Sequence, residues 1–305
     1  MQTPPTHVLT LVADPAAFPL TPALIARVRA AVGGGVPVLL SAGEAADIPL
    51  PAPPPMDAVR AALGAAPVDA LAVPVAGRRK RLLIADMDST IVTGETLDEL
   101  ADFAGLKAEI AAITQRSMNG EIDFATALRE RVGMLKGLRL DALEETWARV
   151  RLTNGAAELV ATMRAHGATT ALVSGGFTFF TGRVAALVGF DLHRSNVLEH
   201  DGARLSGTVA EPILDRDAKL ATLRALSAER GLLATESLAV GDGANDLAML
   251  REAGLGVAFH AKPVVAAEAR ARVDHTGLRA LLFAQGYRAQ EIVAGIDPDP
   301  GAGAA

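Results

Sequence analysis

The sequence predicts an α/β protein: a doubly wound parallel sheet with an inserted helical cap, preceded by a small α/β domain. Three observations predict it. Short unbroken apolar runs alternate with helix-like segments over residues 82–285, and strands buried on both faces that alternate with helices build a parallel sheet. Several of these runs end in Asp, Ser and Gly, and open α/β sheets carry their chemistry at such strand ends. Residues 97–150, after the first run, show only apolar spacing of three and four, the period of amphipathic helices.

In chain order, His7 to Ala13 reads as a strand. A helix follows from Thr21 with Pro22 at its first position and stops at Gly33-Gly34-Gly35. Val36 to Leu40 and Ala46 to Leu50 read as strands, Met56 to Leu63 as a helix and Val68 to Val75 as a strand. This β-α-β-β-α-β order predicts a small open α/β sandwich over residues 1–78. The basic stretch Gly77 to Arg81 reads as a solvated junction.

Leu82 to Ala85 is the first strand of the larger domain, residues 79–290. LDELADFAGL, EIAAITQRSM, FATALRERVGML and LDALEETWARV supply the helices of a cap at about 95–150, placed to act as a lid. Ala168 to Val173 is the next strand, ending at Ser174-Gly175-Gly176, with a helix from Phe177 to Val188. Asn196 to Glu199 and Leu205 to Val209 form a hairpin around Asp201-Gly202. A helix over Asp217 to Arg230 carries Lys219, and Ser237 to Val240 is a strand ending in GDGAND, followed by a helix to Ala253. Leu255 to Phe259 (strand), Pro263 to Arg272 (helix), Val273 to His275 (strand) and Leu278 to Gln285 (helix) complete the domain. Residues 291–305 read as a disordered tail.

Composition narrows the function. The net charge of −6 gives no reason to expect nucleic acid or an anionic membrane as partner. With no cysteine, disulfides, zinc-thiolate sites and thiol catalysis are excluded. Six histidines are present, none paired at metal-ligand spacing. No apolar run approaches a membrane span and no signal peptide is visible, so a cytoplasmic location is expected.

The chemistry concentrates at strand ends. In extended chain, residues i and i+2 point the same way, so Asp86 and Asp88 leave the first strand side by side. Close carboxylates require a cation or a shared proton, and Mg2+ is the usual hard cation where phosphate is present. Taken singly, Ser174 reads as a turn residue, Lys219 as a solvated helix lysine, and Asp242 and Asp246 as helix caps. Taken in order, Asp86, Asp88, Ser174, Lys219, Asp242 and Asp246 form one site. Asp86 is then a nucleophile toward phosphorus, and Asp88 a proton donor to the leaving oxygen and later a base toward water. Gly175, Gly176, Gly241 and Gly243 let backbone approach phosphate.

The series DMDST, a strand-end Ser, a Lys, then GDGAND, resembles the haloacid-dehalogenase-like superfamily across residues 82 to about 285. The resemblance implies a Rossmann-like domain with a cap and Mg2+-dependent phosphoryl chemistry through an aspartyl-phosphate. It implies metal ligation by Asp86, Asp242 and the Asp88 backbone carbonyl, with Asp246 behind them. DMDSTIVTGETLDELA, MNGEIDFATALRERVGMLKGL, VSGGFTFF and VGDGANDLAML resemble the phosphoserine phosphatase branch. That implies a small phosphomonoester substrate, with Glu95 facing its ammonium and Arg131 its carboxylate. It also implies Met118 and Phe124 as pocket walls, Asn245 in contact with phosphate or substrate, and Lys219 and Ser174-Gly175-Gly176 as phosphate binders. The alternatives are a phosphatase or phosphotransferase for another small phosphomonoester, and a phospho-acceptor signalling domain. Residues 1–78 are similar to an ACT domain, which implies an amino-acid sensor, a homodimer contact or a structural appendage.

Overall fold

The computed structural model describes residues 4–118 and 121–295, without the side chain of Met118. The amino-terminal domain holds β1 (His7–Ala13), α1 (Pro22–Val32), β2 (Val38–Ser41), β3 (Ala45–Leu50), α2 (Met56–Leu63) and β4 (Val68–Pro74). The strands pair antiparallel in the order β2-β3-β1-β4, the split β-α-β arrangement expected from the element order. α1 begins where Thr21 accepts the Leu24 N–H and ends at Gly33 with φ +62°. Leu9 and Leu11 of β1 and Ile48 of β3 pack with Val28 and Val59 of the two helices. Val12, Leu40, Leu71 and Val73 face the other way and join the core of the larger domain.

That second contact corrects in part the reading of Gly77 to Arg81 as a solvated junction: Gly77, Arg79 and Arg81 are exposed, but Arg78 and Lys80 turn inward. The Arg78 guanidinium binds both carboxylate oxygens of Asp47, at 2.6 and 2.7 Å, together with the Thr10 hydroxyl and the carbonyls of Phe283 and Ala284. Lys80 is buried, with Nζ donating to the carbonyls of Gly77 and Thr235. Asp69, on β4, accepts the N–H groups of Asp274, His275 and Thr276 and the Thr276 hydroxyl. Arg78 and Lys80 are internal ties, and each is held by hydrogen bonds because buried charge is stable only when paired and hydrogen-bonded.

The larger domain continues with β5 (Leu82–Ala85), the cap helices α3 (Thr96–Phe103), α4 (Lys107–Met118), α5 (Phe124–Met134) and α6 (Asp141–Arg149), then α7 (Ala156–Ala165). Next come β6 (Thr169–Phe177), α8 (Thr178–Val188), β7 (Leu192–Asn196), the hairpin β8 (Leu198–His200) and β9 (Leu205–Val209), and α9 (Arg216–Glu229). β10 (Ser237–Gly241), α10 (Leu247–Glu252), β11 (Leu255–Phe259), α11 (Pro263–Glu268), β12 (Ala271–Val273) and α12 (Ala280–Ala284) complete it. The sheet is parallel throughout, in the order β12-β11-β10-β5-β6-β7. The chain leaves β5 toward β6 on one side and β10 on the other, so β5 sits at the switch point where such sheets bind ligands.

The structure departs from the sequence reading in several places, including a shorter α11 (Pro263–Glu268) and an earlier β12 (Ala271–Val273). β6 runs through Ser174-Gly175-Gly176 to Phe177 instead of ending at Val173. β7 is an additional edge strand, and α7 an additional helix, packed on the sheet through Leu159, Val160 and Met163. The hairpin braces the cap: Gly137 N–H donates to the Leu205 carbonyl at 2.8 Å, and Leu205 N–H to the Leu138 carbonyl at 2.9 Å. Within the expected tail, Val293 N–H donates to the Thr162 hydroxyl and Glu291 pairs with Arg79; residues 296–305 lie outside the described residues. Among the described residues, no helix is long and apolar enough to cross a membrane.

Candidate active site

β5 delivers Asp86 to the sheet edge. Asp86 Oδ1 accepts the Met87 N–H at 2.8 Å and lies 2.7 Å from Lys219 Nζ. The chain then turns sharply, with Ser89 at φ +55°, a left-handed conformation uncommon for a residue with a side chain and frequent at functional turns. The Ser89 hydroxyl donates to Glu95 Oε1 at 2.8 Å. Asp88 Oδ1 accepts the N–H of Thr96, the first residue of α3, at 2.8 Å, and Oδ2 accepts the Ser174 hydroxyl at 3.3 Å. Burial, then the charges of Glu95 and Asp86, push the Asp88 carboxyl up to about 7. The shift favours the protonated form of the carboxyl over that of a free Asp.

β6 supplies the facing loop. Ser174 Oγ accepts the Gly176 N–H at 2.9 Å. A Cβ at Gly176 would lie 2.9 Å from Asp88 Oδ2, and one at Gly175 would press on the Phe124 ring at 3.0 Å. Asn196 holds this loop from behind: its Nδ2 donates to the carbonyls of Gly175 and Leu214, and its Oδ1 accepts the Leu214 N–H. Sequence reasoning passed over Asn196, since a single Asn at the end of a polar edge strand carries no motif.

Behind Asp86, carboxylate oxygens of Asp86, Asp242 and Asp246 lie within 4.8 Å of one another, all three residues buried. Lys219 pairs with Asp86 and, at 2.6 Å, with Asp246. Burial alone would lower the Lys219 ammonium, but Asp246 and Asp86 outweigh it and push its pKa well above the usual lysine value. Asp246 Oδ2 accepts the Gly243 N–H at 3.0 Å, so both its oxygens are taken. A Cβ at Gly241 would lie 2.3 Å from the Asp246 side chain, which explains the glycine. Among the described residues, Asp242 Oδ1 accepts only the Thr90 hydroxyl, at 3.4 Å. Burial, then Asp86 and Glu95, lift Asp242 to about 6. Three buried carboxylates face one buried ammonium, with a second, half-exposed one 3.9 Å from Asp242 on Lys262; positive charge is still in deficit, and a divalent cation with oxygen ligands fits it. The Asp88 side chain stands outside this trio.

The cap forms the far wall. The cleft is a cavity of about 130 Å³ lined by Asp86, Asp88, Glu95, Phe124, Arg131, Ser174, Gly175, Gly176, Asp242 and Asn245, with Leu97, Leu128 and Lys262. Arg131 donates from Nε to the Ala127 carbonyl and from Nη1 to the Thr114 hydroxyl. Burial lowers its pKa, while the nearby charges of Asp98 and Glu95 oppose that. Arg129, in contrast, pairs with Glu211 at the surface. Met118 belongs to α4, but its side chain lies outside the described residues. Lys262 is a cleft residue that no motif announced; its ammonium is 3.9 Å from Asp242 Oδ2.

Comparison with known proteins gives the family of the chain. The haloacid dehalogenase-like hydrolase family model matches residues 83–251. The chain is 45% identical over 188 residues to a phosphoserine phosphatase of Archaeoglobus fulgidus, covering 62% of this chain and 55% of that one. It is 45% identical over 208 residues to a phosphoserine phosphatase of Polaromonas sp., covering 66% and 88% respectively. The unliganded crystal structure of a probable phosphoserine phosphatase from Vibrio cholerae superposes with a TM-score of 0.74 at 31% identity, over 92% of this chain and 88% of that one. The matched strands and cap are those that build the cleft, and the chain belongs to the haloacid dehalogenase-like hydrolase family, within its phosphoserine phosphatase group.

Proposed function

We propose that this chain is a cytoplasmic, Mg2+-dependent phosphoserine phosphatase that hydrolyses O-phospho-L-serine to L-serine and inorganic phosphate, the last step of serine synthesis. One observation carries the reading. A single small cleft joins Asp86, Asp88 and the Ser174-Gly176 loop at one end to Glu95 and Arg131 at the other. An ester with phosphate at one end and an ammonium and a carboxylate at the other matches that charge pattern.

Asp86 Oδ1 is held by Met87 and Lys219, which leaves Oδ2 to attack phosphorus. The phosphorus–oxygen bond to the seryl group breaks as Asp88 gives its proton to the leaving oxygen. Serine departs, leaving an aspartyl-phosphate on Asp86. Asp88, now a carboxylate, takes a proton from water, whose oxygen attacks phosphorus and frees Asp86 and inorganic phosphate. The third N–H of Lys219, the Ser174 hydroxyl and backbone N–H groups of the glycine loop stabilise the equatorial oxygens, the main task in phosphoryl transfer. Asp86 and Asp242, with the Asp88 backbone carbonyl, would hold Mg2+, with Asp246 behind them; the ion would supply charge neutralisation of the phosphoryl group.

Phosphate release from phosphoserine, phosphothreonine and phosphoglycerol in Mg2+ tests the reading. Steady turnover with phosphoserine preferred is expected. A stoichiometric burst without turnover would make the chain a phospho-acceptor, and a preference for phosphoglycerol would reassign the cap. The amino-terminal domain is also read as a homodimer contact. Its edge strand β2 exposes Val38 and Leu39, next to exposed Val36, and unpaired apolar edges favour pairing with another copy. Leu39→Lys should shift a dimer to monomer in sedimentation; an unchanged mass would remove that edge as the contact.

A further inference from the structure

We propose that Lys262 is a further cation for the substrate phosphate and that Asp69, in the other domain, is its positioning residue. The inference rests on the phosphatase reading above. Lys262 lies on the loop after β11, where its half-exposed ammonium lines the cleft beside Asp242 and its N–H donates to the Asp242 carbonyl at 3.3 Å. Its contact with Asp242 is long, at 3.9 Å, and half-exposed, so the ammonium is also placed to meet an anionic ligand in the cleft.

The loop is not held by its own domain alone. Two residues before Lys262, His260 has φ +43°, a conformation that persists in a residue with a side chain only when neighbours enforce it. They do so here. His260 N–H donates to the Val273 carbonyl at 2.8 Å, and ring Nε2 donates to the Thr276 carbonyl at 2.8 Å. Thr276 is fixed by Asp69, which accepts its N–H at 2.9 Å and its hydroxyl at 2.7 Å, and also the N–H groups of Asp274 and His275. Asp69 is 3% exposed and, among these bonds, accepts only from the larger domain. Short hydrogen bonds thus tie Asp69 of β4 to Thr276 and Thr276 to His260, two residues before Lys262, so the amino-terminal domain helps to set one wall of the cleft.

The test is a double-mutant cycle on the full chain, read as KM and kcat for phosphoserine. Lys262→Met should raise KM about tenfold with kcat within about twofold, as expected when a contact equal in ground and transition states is removed. Asp69→Asn should raise KM about threefold to tenfold, and should add nothing in the Lys262→Met background, because residues acting through one another are not additive. Thr276→Val, which removes one bond to Asp69, should raise KM by about twofold and show the same dependence on Lys262; it serves if Asp69→Asn does not fold. Hydrogen exchange at residues 260–262 should quicken in both Asp69→Asn and Thr276→Val. Multiplicative KM effects in the double variant would overturn the proposal. So would a fall in kcat at constant KM that tracks the folded fraction, which is what a merely structural role produces. Absence of turnover by the unmodified chain on every phosphoester would instead overturn the phosphatase reading.

Discussion

Two groups of buried acids divide this molecule. At the domain interface, Asp47 is matched by the Arg78 guanidinium through two hydrogen bonds, and Asp69 by three N–H groups and a hydroxyl. In the cleft, Asp86 and Asp246 share Lys219, Asp242 has only the long 3.9 Å contact with half-exposed Lys262 among the described cations, and Asp88 lies close to Asp86 and Glu95. Burial and mutual repulsion lift Asp242 to about 6 and Asp88 to about 7. Both groups come from the same kind of residue at similar burial. Full satisfaction marks the acids that hold the fold; a deficit of compensating charge marks those of the proposed catalytic site.

The largest expected effect is at the nucleophile. Asp86→Asn should lower turnover by at least about 10⁴-fold, since an amide does not form the covalent intermediate, while leaving the chain folded by circular dichroism. Phosphate release near the unmodified rate would place the nucleophile elsewhere. Asp88→Asn should slow turnover by about 10²- to 10⁴-fold, the usual share of a general acid and base. Rapid-quench detection of phosphate retained on the protein would sharpen the assignment, and unchanged turnover would remove it.

The cap pair comes next. Removing one partner of a desolvated charge contact typically costs about 2–5 kcal/mol. Arg131→Ala should therefore lower kcat/KM for phosphoserine by about 30-fold to several thousand-fold, and affect phosphoethanolamine far less, because that ester has no carboxylate. Glu95→Gln should spare 3-phosphoglycerate, which has no ammonium. Equal losses of Arg131→Ala on all esters would mean that Arg131 serves the phosphate or the fold. Arg129→Ala, which breaks a surface pair with Glu211, is the control and should leave kcat/KM within about twofold.

How much of this was legible in the sequence follows from the range of each interaction. Asp86 and Asp242 directly follow the apolar strands β5 and β10, and Ser174 follows the apolar run of β6, so local pattern showed where each sits, while their order along the chain, with the family resemblance it carries, grouped them. β7 was missed because LHRSN, at the sheet edge, is largely exposed and polar and carries no apolar run. The Arg78–Asp47 and Asp69–Thr276 ties join residues 31 and 207 positions apart, and nothing in the local chemistry of an Arg-rich linker shows that a buried acid awaits it. The same holds for Asn196 and Lys262, whose roles exist only once β7 and β11 lie beside β6 and β10.

The division between the two groups of acids is tested most directly by thermal unfolding of the metal-free protein, in EDTA at pH 8, where Asp242 is ionised. Asp242→Asn removes a surplus charge and should raise Tm by a few degrees, since about 1 kcal/mol corresponds to about 2–4 °C in a chain of this size class. Asp47→Asn leaves Arg78 buried without its partner charge and should lower Tm by roughly 5 °C or more. Opposite signs are the predicted result; a fall in Tm for both variants would contradict the claim that cleft acids are held at the expense of the fold while interface acids hold it together.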